Sequence, residues 1–397
     1  MSLLPRVAVE APAPEVLSYG RQLLDEEDIA AVVAALRSDF LTQGPTVARF
    51  EAGLCEVTGA QNAIAVANGT LALEVAYGAL GVGPGARVLV PANTFVATAT
   101  AAERLGATVE FIDVELETGN LDLAALARRL AKGPTPDLVV PVHFAGLPCD
   151  MATLLQLKRS FGFAIVEDAA HALGARYFEG SRWWSPGEHP EVAAAVYSFH
   201  PVKPITSAEG GAVMTPDATL AERVRLLRGQ GIDGESARRE GHLHYAPMVA
   251  LGTNARLSEL HAALGLSQLA KLNRFRTRRA EIAARYRREL FGVTLLEEGD
   301  DTQEHAWHLF VIQVDPELRD PLRAALLEKG VGTQVHYHPV PYQPWFQRRN
   351  PEVEVPVALE HAESALSLPL HPGLTEEQVG HVIRAVNSCF TELSLAA

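Results

Sequence analysis

Apolar and polar positions alternate in blocks along residues 63–215, where short apolar runs recur between segments with helical spacing. The runs are rich in β-branched residues, which favour strands. They are 63-AIAVA-67, 87-RVLVPA-92, 108-TVEFID-113, 137-DLVVPV-142, 163-FAIVED-168, 193-AAAVYSF-199 and 211-GAVMT-215. The segments between them, such as 70-TLALEVAYGAL-80 and 121-LDLAALARRLA-131, have helical patterns. This order predicts an α/β fold whose mainly parallel sheet is covered by helices.

Residues 25–39 predict the first helix. Acidic residues open the segment, where they favour a helix N-terminus. The apolar positions share one helical face: Ile29, Val32, Val33 and Leu36. We therefore expect an amphipathic helix. The preceding residues 1–14 have a proline and alanine character and are expected to form a loose leader.

The last third of the chain predicts a second, smaller domain. Residues 257–290 are helical in pattern and become increasingly basic, as expected of a connector between domains. Beyond them, the strand-like runs 308-HLFVIQV-314 and 331-VGTQVHY-337 flank a helical segment. We expect a large domain over residues 15–274 and a smaller C-terminal α+β domain over residues 275–397.

Composition argues against several classes of function. The formal net charge of −14 gives no basic footprint for nucleic acid or for an anionic membrane, so neither is an expected partner. The three cysteines, Cys55, Cys149 and Cys389, are widely spaced without a CxxC pair, which argues against a disulfide framework and a zinc site. We expect no bound metal. Because we find neither a signal-peptide pattern nor a membrane-spanning run, we expect a cytoplasmic location.

Two glycine-containing stretches are candidates for phosphate binding. The run 78-GALGVGPGA-86 contains G-x-G-x-G, but it follows a helical pattern and precedes a strand, the reverse of a dinucleotide-binding loop. We expect a helix end and a turn there. The segment 64-IAVANGTLALEV-75 has the favourable order of strand, Asn68-Gly69-Thr70 and helix. Either its backbone N–H groups hold a phosphate, or Thr70 is an ordinary helix N-cap.

Lys203 and Asp168 are the candidates for chemistry. Lys203 lies between two prolines in 197-YSFHPVKPITSAEGGAVMT-215, among aromatic and small residues, although lysines are usually solvated surface groups. Asp168 ends a buried-looking strand three residues before His171. Its carboxylate either caps a helix or holds a protonated heterocyclic nitrogen through a charge-assisted hydrogen bond.

The combination is more specific than its parts. An aldehyde cofactor that acts as an electron sink needs a lysine, a carboxylate, a phosphate cradle and a group that covers its ring. The chain has a candidate for each of these in the expected order and setting: Lys203, Asp168, the pair Gly69 and Thr70, and Phe95, respectively.

Eight motifs resemble those of one family. They are 41-LTQGP-45, 68-NGT-70, 91-PANTFVATA-99, 141-PVHFAG-146, 167-EDAAHALGA-175, 198-SFHPVK-203, 209-EGGAV-213 and 253-TNARLSE-259. Together and in this order they resemble the DegT/DnrJ/EryC1/StrS family of sugar-nucleotide aminotransferases, from about Tyr19 to Ile383. The resemblance implies a transferase of fold type I that uses pyridoxal 5′-phosphate (PLP), with a mainly parallel seven-stranded sheet, helices on both faces and a smaller C-terminal domain.

The resemblance also implies roles for individual residues. Lys203 matches the lysine that binds the cofactor covalently, and Asp168 matches the partner of its ring nitrogen. The other cofactor contacts it implies are Gly69, Thr70 and Ser198 at the phosphate, Phe95 stacked on the ring, His171 near the ring phenolate, and Asn254 from the other subunit of a homodimer. The positions that it places at the sugar nucleotide are Tyr19, Leu41, Thr42, Gln43, Gly44, His336 and Tyr337.

Four segments most resemble the branch that aminates UDP-4-keto-6-deoxy-L-AltNAc on the way to pseudaminic acid: 18-SYGRQ-22, 38-SDFLTQGP-45, 145-AGLPCDM-151 and 198-SFHPVKPIT-206. The implied reaction transfers an amino group from L-glutamate to a UDP-linked 4-keto-6-deoxy-N-acetyl-hexosamine. The alternatives are another nucleotide-linked 4-keto sugar, a related dehydratase, and a non-catalytic regulator on the same fold. Lys203 argues against the dehydratases, which have His at that position.

The chain departs from the common family pattern at three places. Many members have Gly where this chain has Ala208, and Gln where it has His171. The segment 179-EGSRWWSPGEHPEV-192 is unusual in its two tryptophans.

Overall fold

The structure of this chain is a computed structural model that describes residues 16–233 and 245–396, so the predicted leader lies outside the described residues. Within those residues the strands are β1 (Asn62–Val66), β2 (Arg87–Pro91), β3 (Thr108–Ile112), β4 (Leu138–Val139), β5 (Ala164–Asp168), β6 (Arg176–Glu179), β7 (Arg182–Trp184), β8 (Ala194–Ser198), β9 (Gly211–Thr215), β10 (Thr294–Leu295), β11 (Gln303–Glu304), β12 (Phe310–Gln313) and β13 (Ala365–Leu368).

The helices in the same residues are α1 (Glu26–Leu36), α2 (Pro45–Thr58), α3 (Gly69–Ala79), α4 (Val96–Arg104), α5 (Leu123–Lys132), α6 (Met151–Phe161), α7 (Ala218–Arg228), α8 (Glu259–Leu269), α9 (Leu272–Glu289), α10 (Pro316–Glu328), α11 (Pro344–Gln347), α12 (Pro356–Ser364) and α13 (Glu376–Ala396). Of these described helices, none combines the length and the apolar composition that crossing a membrane requires.

A seven-stranded sheet forms the centre of the molecule, in the order β1-β9-β8-β5-β4-β2-β3. Its neighbours pair in parallel from β8 to β3, while β9 runs antiparallel to both β1 and β8. The seven apolar runs of the sequence are these seven strands. The prediction of a mainly parallel seven-stranded sheet is therefore confirmed.

Both faces of this sheet are buried, which is why its strands are apolar throughout. On β1, Ile64 and Val66 belong to the apolar cluster that includes α3, whereas Ala63 and Ala65 belong to the cluster that includes α2. Successive side chains point to opposite faces of a strand. Helices therefore cover the sheet on both sides, and its carboxyl edge is left for polar residues.

A second, three-stranded antiparallel sheet has the order β10-β12-β13. Its core includes Ile312 and Leu366 from the sheet, packed with residues of α9, α10 and α13. The predicted boundary between residues 274 and 275 falls inside α9, and the division of the chain into two domains stays a prediction.

The helix predicted over residues 257–290 is two helices, α8 and α9, that are separated at Ala270 and Lys271. Lys271 Nζ lies 2.9 Å from Asp28 Oδ2 and also contacts Asp25, both from the start of α1. The sequence pattern could not show this break, because the residues that hold Lys271 come from the other end of the chain.

The turn predicted for residues 78–86 is present between α3 and β2. Gly81 and Gly85 have φ of 84° and 91°, a left-handed conformation that glycine adopts without steric cost. This glycine run joins a helix to a strand and does not contribute to the cavity described below.

Candidate active site

A cavity of about 590 Å³ opens at the carboxyl ends of β2, β5 and β8. Ligands of open α/β sheets bind at this edge. The predicted residues that line it are Tyr19, Gly69, Thr70, Phe95, Asp168, His171, Ser198, Lys203, His336 and Tyr337. The fold thus brings the predicted lysine, carboxylate, phosphate-binding and ring-covering residues to one place.

Lys203 lies on the turn after β8, where its backbone N–H donates to the carbonyl of His200 over 2.9 Å. Its side chain lines the cavity and is only partly exposed. Burial lowers the pKa of the Lys203 amine to about 8, although the charge of Asp168 acts in the opposite direction. An appreciable fraction of the amine is therefore uncharged near neutral pH, as a nucleophile requires.

Asp168 ends β5 and is buried. Its Oδ2 accepts a hydrogen bond from Thr98 Oγ1 over 2.7 Å, and its Oδ1 accepts one from the backbone N–H of Ala170 over 3.2 Å. Burial raises the pKa of the carboxyl, and these hydrogen bonds and the charge of Lys203 offset only part of that. Residues 169–175 contain turns and no helix, so the alternative that Asp168 caps a following helix is wrong.

The N-terminus of α3 reaches the cavity with Gly69 and Thr70 in its first turn. The N-cap is Asn68, whose side chain accepts from the N–H of Leu71 over 2.9 Å, so the alternative of Thr70 as an ordinary N-cap is wrong. A side chain added at Gly69 would approach Ser198 Cβ to 3.0 Å. The bare backbone at a helix N-terminus, with two hydroxyl groups beside it, suits a phosphate.

His171 lies in the cavity wall beside Tyr337, and its Nε2 is 3.2 Å from the tyrosine hydroxyl. Its ring centroid is 4.3 Å from that of His308. Burial and the charge of Lys203 hold the pKa of His171 well below its usual value, so the imidazole is neutral. The backbone N–H of Tyr337 donates to Asn93 Oδ1 over 2.9 Å, which fixes this part of the wall.

The remaining predicted residues lie outside the cavity lining of their own chain: Leu41, Thr42, Gln43, Gly44 and Asn254. The loop of residues 41–44 is tied to α8, because Glu259 Oε1 accepts from the N–H of Gly44 over 3.1 Å and the N–H of Glu259 donates to the carbonyl of Leu41 over 3.0 Å. Asn254 lies five residues before Glu259. The loop and Asn254 therefore belong to connected segments of the surface.

Sequence reasoning assigned no site role to five polar or charged residues of the lining: Asn68, Thr94, His200, Glu209 and Gln334. Each lies in the same sequence motif as a predicted site residue or close to one, and this proximity is the signal that could have identified it. Sequence reasoning also missed Thr98, which contacts Asp168 without lining the cavity. That contact joins residues 70 positions apart, which no local pattern shows.

The residues present fit PLP. The cavity has the size of a small-molecule site, and the close approach of Gly69 to Ser198 leaves bare backbone at a helix N-terminus. An amine with a lowered pKa and a buried carboxylate share the same lining. His171 Nδ1 is buried without a hydrogen-bond partner among the residues that the structure describes. These features match an aldehyde, a phosphate and a protonated ring nitrogen.

A family comparison matches residues 22–387 to the DegT/DnrJ/EryC1/StrS aminotransferase family. The match spans most of the chain and includes the cavity residues from Gly69 to Tyr337. The family assignment therefore rests on nearly the whole sequence, including the site residues, and not on one motif.

Three solved structures are similar to this chain over nearly its full length. Helicobacter pylori PseC, an aminotransferase involved in the biosynthesis of pseudoaminic acid, is 28% identical with a TM-score of 0.87, covering 95% of this chain and 100% of that one. The PLP-form of the putative sugar aminotransferase Spr1654 from Streptococcus pneumoniae is 27% identical with a TM-score of 0.85, covering 95% and 99%. DesV from S. venezuelae is 34% identical with a TM-score of 0.83, covering 92% and 94%.

Proposed function

This chain belongs to the DegT/DnrJ/EryC1/StrS aminotransferase family, and from that premise we propose that it transfers an amino group from L-glutamate to carbon 4 of a UDP-linked 4-keto-6-deoxy-N-acetyl-hexosamine. The observation that carries the proposal is the presence of Lys203 and Asp168 in one cavity at the N-terminus of α3. The choice of sugar is supported by the four segments that resemble the pseudaminate branch and by the similarity to PseC.

When bound, PLP supplies an aldehyde that can carry an amino group and a conjugated ring that accepts electron density. In the proposed arrangement Lys203 holds the aldehyde end, and Thr70 and Ser198 hold the phosphate beside the positive end of α3. Asp168 holds the ring nitrogen. Phe95, with 55% of its surface exposed, lines the same cavity and would cover the ring.

Lys203 Nζ is the group proposed to move protons. Because its pKa is lowered to about 8, Nζ can take a proton from the α-carbon of the amino donor and release one at a later step near neutral pH. Asp168 has the complementary role, since its negative charge keeps a proton on the ring nitrogen. The site thus needs an uncharged amine and a charged carboxylate at the same pH. Burial favours the uncharged form of both groups, so the charge of Asp168 needs additional stabilisation.

We also propose a homodimer with shared sites. On the apolar face of α1, Ile29 and Leu36 are 51% and 56% exposed, whereas Val32 and Val33 are partly buried. Clustered exposed apolar side chains mark association surfaces. The loop of residues 41–44 and Asn254 also lie outside their own cavity, so a second copy would receive them. The cytoplasmic location remains a prediction.

A comparison of matched sugar epimers tests the proposed function. Protein with PLP and L-glutamate is offered UDP-2-acetamido-2,6-dideoxy-β-L-arabino-hex-4-ulose or the D-configured UDP-4-keto-6-deoxy-GlcNAc, with GDP- and dTDP-linked 4-keto sugars alongside. We expect the highest kcat/KM for the L epimer, because polar groups placed for one epimer lose their partners with the other. A preference for the D epimer of about tenfold, roughly 1.4 kcal/mol, would overturn the choice of sugar and leave the aminotransferase activity standing.

A further inference from the structure

Two threonine hydroxyls form a chain of short contacts that ends at Asp168. Thr98, on α4, is fully buried, and its Oγ1 is 2.7 Å from Asp168 Oδ2. The same oxygen is 2.7 Å from Thr94 Oγ1 and 3.2 Å from the carbonyl oxygen of Phe95. Thr94 lines the cavity, whereas Thr98 does not. Asp168 is therefore contacted from behind by a residue that cannot touch a ligand in the cavity.

The strength of the acceptors determines the direction in which each threonine hydroxyl donates its hydrogen bond. A threonine hydroxyl has one hydrogen to donate. For Thr98 the ionised carboxylate is the stronger acceptor and the shorter contact, so the hydrogen points to Asp168, and the carbonyl of Phe95 is at most a weak second acceptor. The hydroxyl of Thr94 then donates to Thr98 Oγ1. The arrangement polarises both hydroxyls toward one carboxylate oxygen.

Asp168 needs such support because one of the two charged neighbours that favour its ionised form, Lys203 and His143, is variable. Burial works against its charged form, and Lys203, which favours that form, is the amine proposed to bond the cofactor. The hydroxyl of Thr98 and the N–H of Ala170 are fixed by the fold and stay in place whatever happens to Lys203. They are permanent donors to a carboxylate in a site of low polarity.

We propose, on the basis of the proposed function, that Thr98 is a positioning residue: oriented by Thr94, it holds the Asp168 carboxylate ionised and in one place, so that Asp168 can keep the ring nitrogen of the cofactor protonated. Thr98 acts only through Asp168. Its loss should therefore change the titration of a carboxyl group in the cofactor-free protein, which a purely structural role would not do.

The test compares Thr98→Val, which keeps the shape and removes the hydroxyl, with Thr98→Ser, which restores it. Thr58→Val is the matched control, because Thr58 is also a buried helical threonine, but it bonds the carbonyl of Leu54 away from the cavity. The carboxyl band of Asp168 is followed by infrared spectroscopy against pH in cofactor-free protein and is assigned by its loss in Asp168→Asn. Affinity for PLP and kcat are then measured on the same variants.

In Thr98→Val we expect the titration midpoint of Asp168 to rise by about one pH unit, which is a tenfold change in its proton affinity. Affinity for PLP and kcat should fall, and Thr98→Ser should restore all three. Thr94→Val, one hydroxyl further away, should give a smaller shift of the same sign, and it serves as the test if Thr98→Val does not fold. The inference would be overturned if Asp168 had the same titration midpoint in Thr98→Val as in Thr58→Val. If Thr98→Val does not fold, an unchanged Asp168 midpoint in Thr94→Val would overturn it.

The two proposals fail in distinguishable ways. If wild-type protein binds no PLP, the proposed function is wrong and this inference falls with it. If wild-type protein binds PLP and transaminates while Thr98→Val titrates and binds like the wild type, only the role of Thr98 is wrong.

Discussion

The lowered pKa of Lys203 can be measured directly in cofactor-free protein. Burial moves it from 10.5 to about 8, which corresponds to roughly 3 kcal/mol against the charged form, at about 1.36 kcal/mol for each pH unit. At pH 7 about a tenth of the amine is then uncharged, against roughly one part in three thousand for an ordinary lysine. The structure therefore predicts an amine that is roughly 300 times more available at neutral pH.

The assay is competitive labelling with a trace of an amine-reactive reagent at a series of pH values, with each lysine quantified by mass spectrometry. The chain has five lysines: Lys132, Lys158, Lys203, Lys271 and Lys329. Lys271 is an internal control because its pKa is shifted in the opposite direction. Burial acts to lower the pKa of Lys271, but hydrogen bonds to Asp25 and Asp28 outweigh burial, so that its pKa is raised. We expect the labelling of Lys203 to rise through a midpoint near 8 and that of Lys271 to rise last.

The Asp168→Asn variant sharpens this test. The charge of Asp168 raises the pKa of Lys203 against the effect of burial, so its removal should lower the Lys203 midpoint further. A midpoint near that of an ordinary lysine, about 10.4, would show that water solvates the Lys203 amine fully and that burial does not lower its pKa. A rise in Asp168→Asn would refute the assigned electrostatic coupling.

Three further predictions follow from the same residues. Asp168→Ala should keep the circular dichroism spectrum and lose most turnover, because an unprotonated ring nitrogen accepts electron density poorly; activity within a few-fold of wild type would contradict this. Ala208 has φ of 67°, which costs a non-glycine residue about 1 kcal/mol, so Ala208→Gly should raise Tm, and a lower Tm would show that this strain is smaller than the conformational entropy that glycine adds to the unfolded chain. Mixed dimers of inactive Lys203→Ala and Asn254→Asp chains should regain activity if sites are shared, and no recovery in a confirmed heterodimer would count against sharing.

Much of the central sheet could be predicted because its strands are buried on both faces and are therefore apolar along their whole length. The hairpin of β6 and β7 could not, since its strands are short and partly exposed. Both of its tryptophans have contacts within the hairpin, and the ring of Trp183 packs edge-on against that of Phe178 with the centroids 5.7 Å apart. Trp184 Nε1 donates to the carbonyl of Glu179 over 3.1 Å, and the guanidinium of Arg182 lies 3.7 Å from the tryptophan ring centroid. These contacts close the hairpin.

Candidate site residues could be predicted where they follow a strand, because the ends of neighbouring parallel strands converge. Asp168 and Lys203 are of this kind. Thr98 and Glu259 are not, because each acts on a residue far away in sequence, Asp168 and Gly44 respectively. The position of Ala208 in the left-handed region accounts for the Gly that many family members have there.

The most direct test of the proposed amino transfer follows the nitrogen atom from the donor to the product. Protein with PLP is incubated with ¹⁵N-labelled L-glutamate and UDP-2-acetamido-2,6-dideoxy-β-L-arabino-hex-4-ulose, and the sugar nucleotide and 2-oxoglutarate are quantified by mass spectrometry. We expect equimolar 2-oxoglutarate and a UDP-linked amino sugar that carries the label, with neither product in Lys203→Ala. A sugar product that has lost a hydroxyl group without gaining nitrogen, or no ¹⁵N transfer to any nucleotide-linked 4-keto sugar, would contradict it.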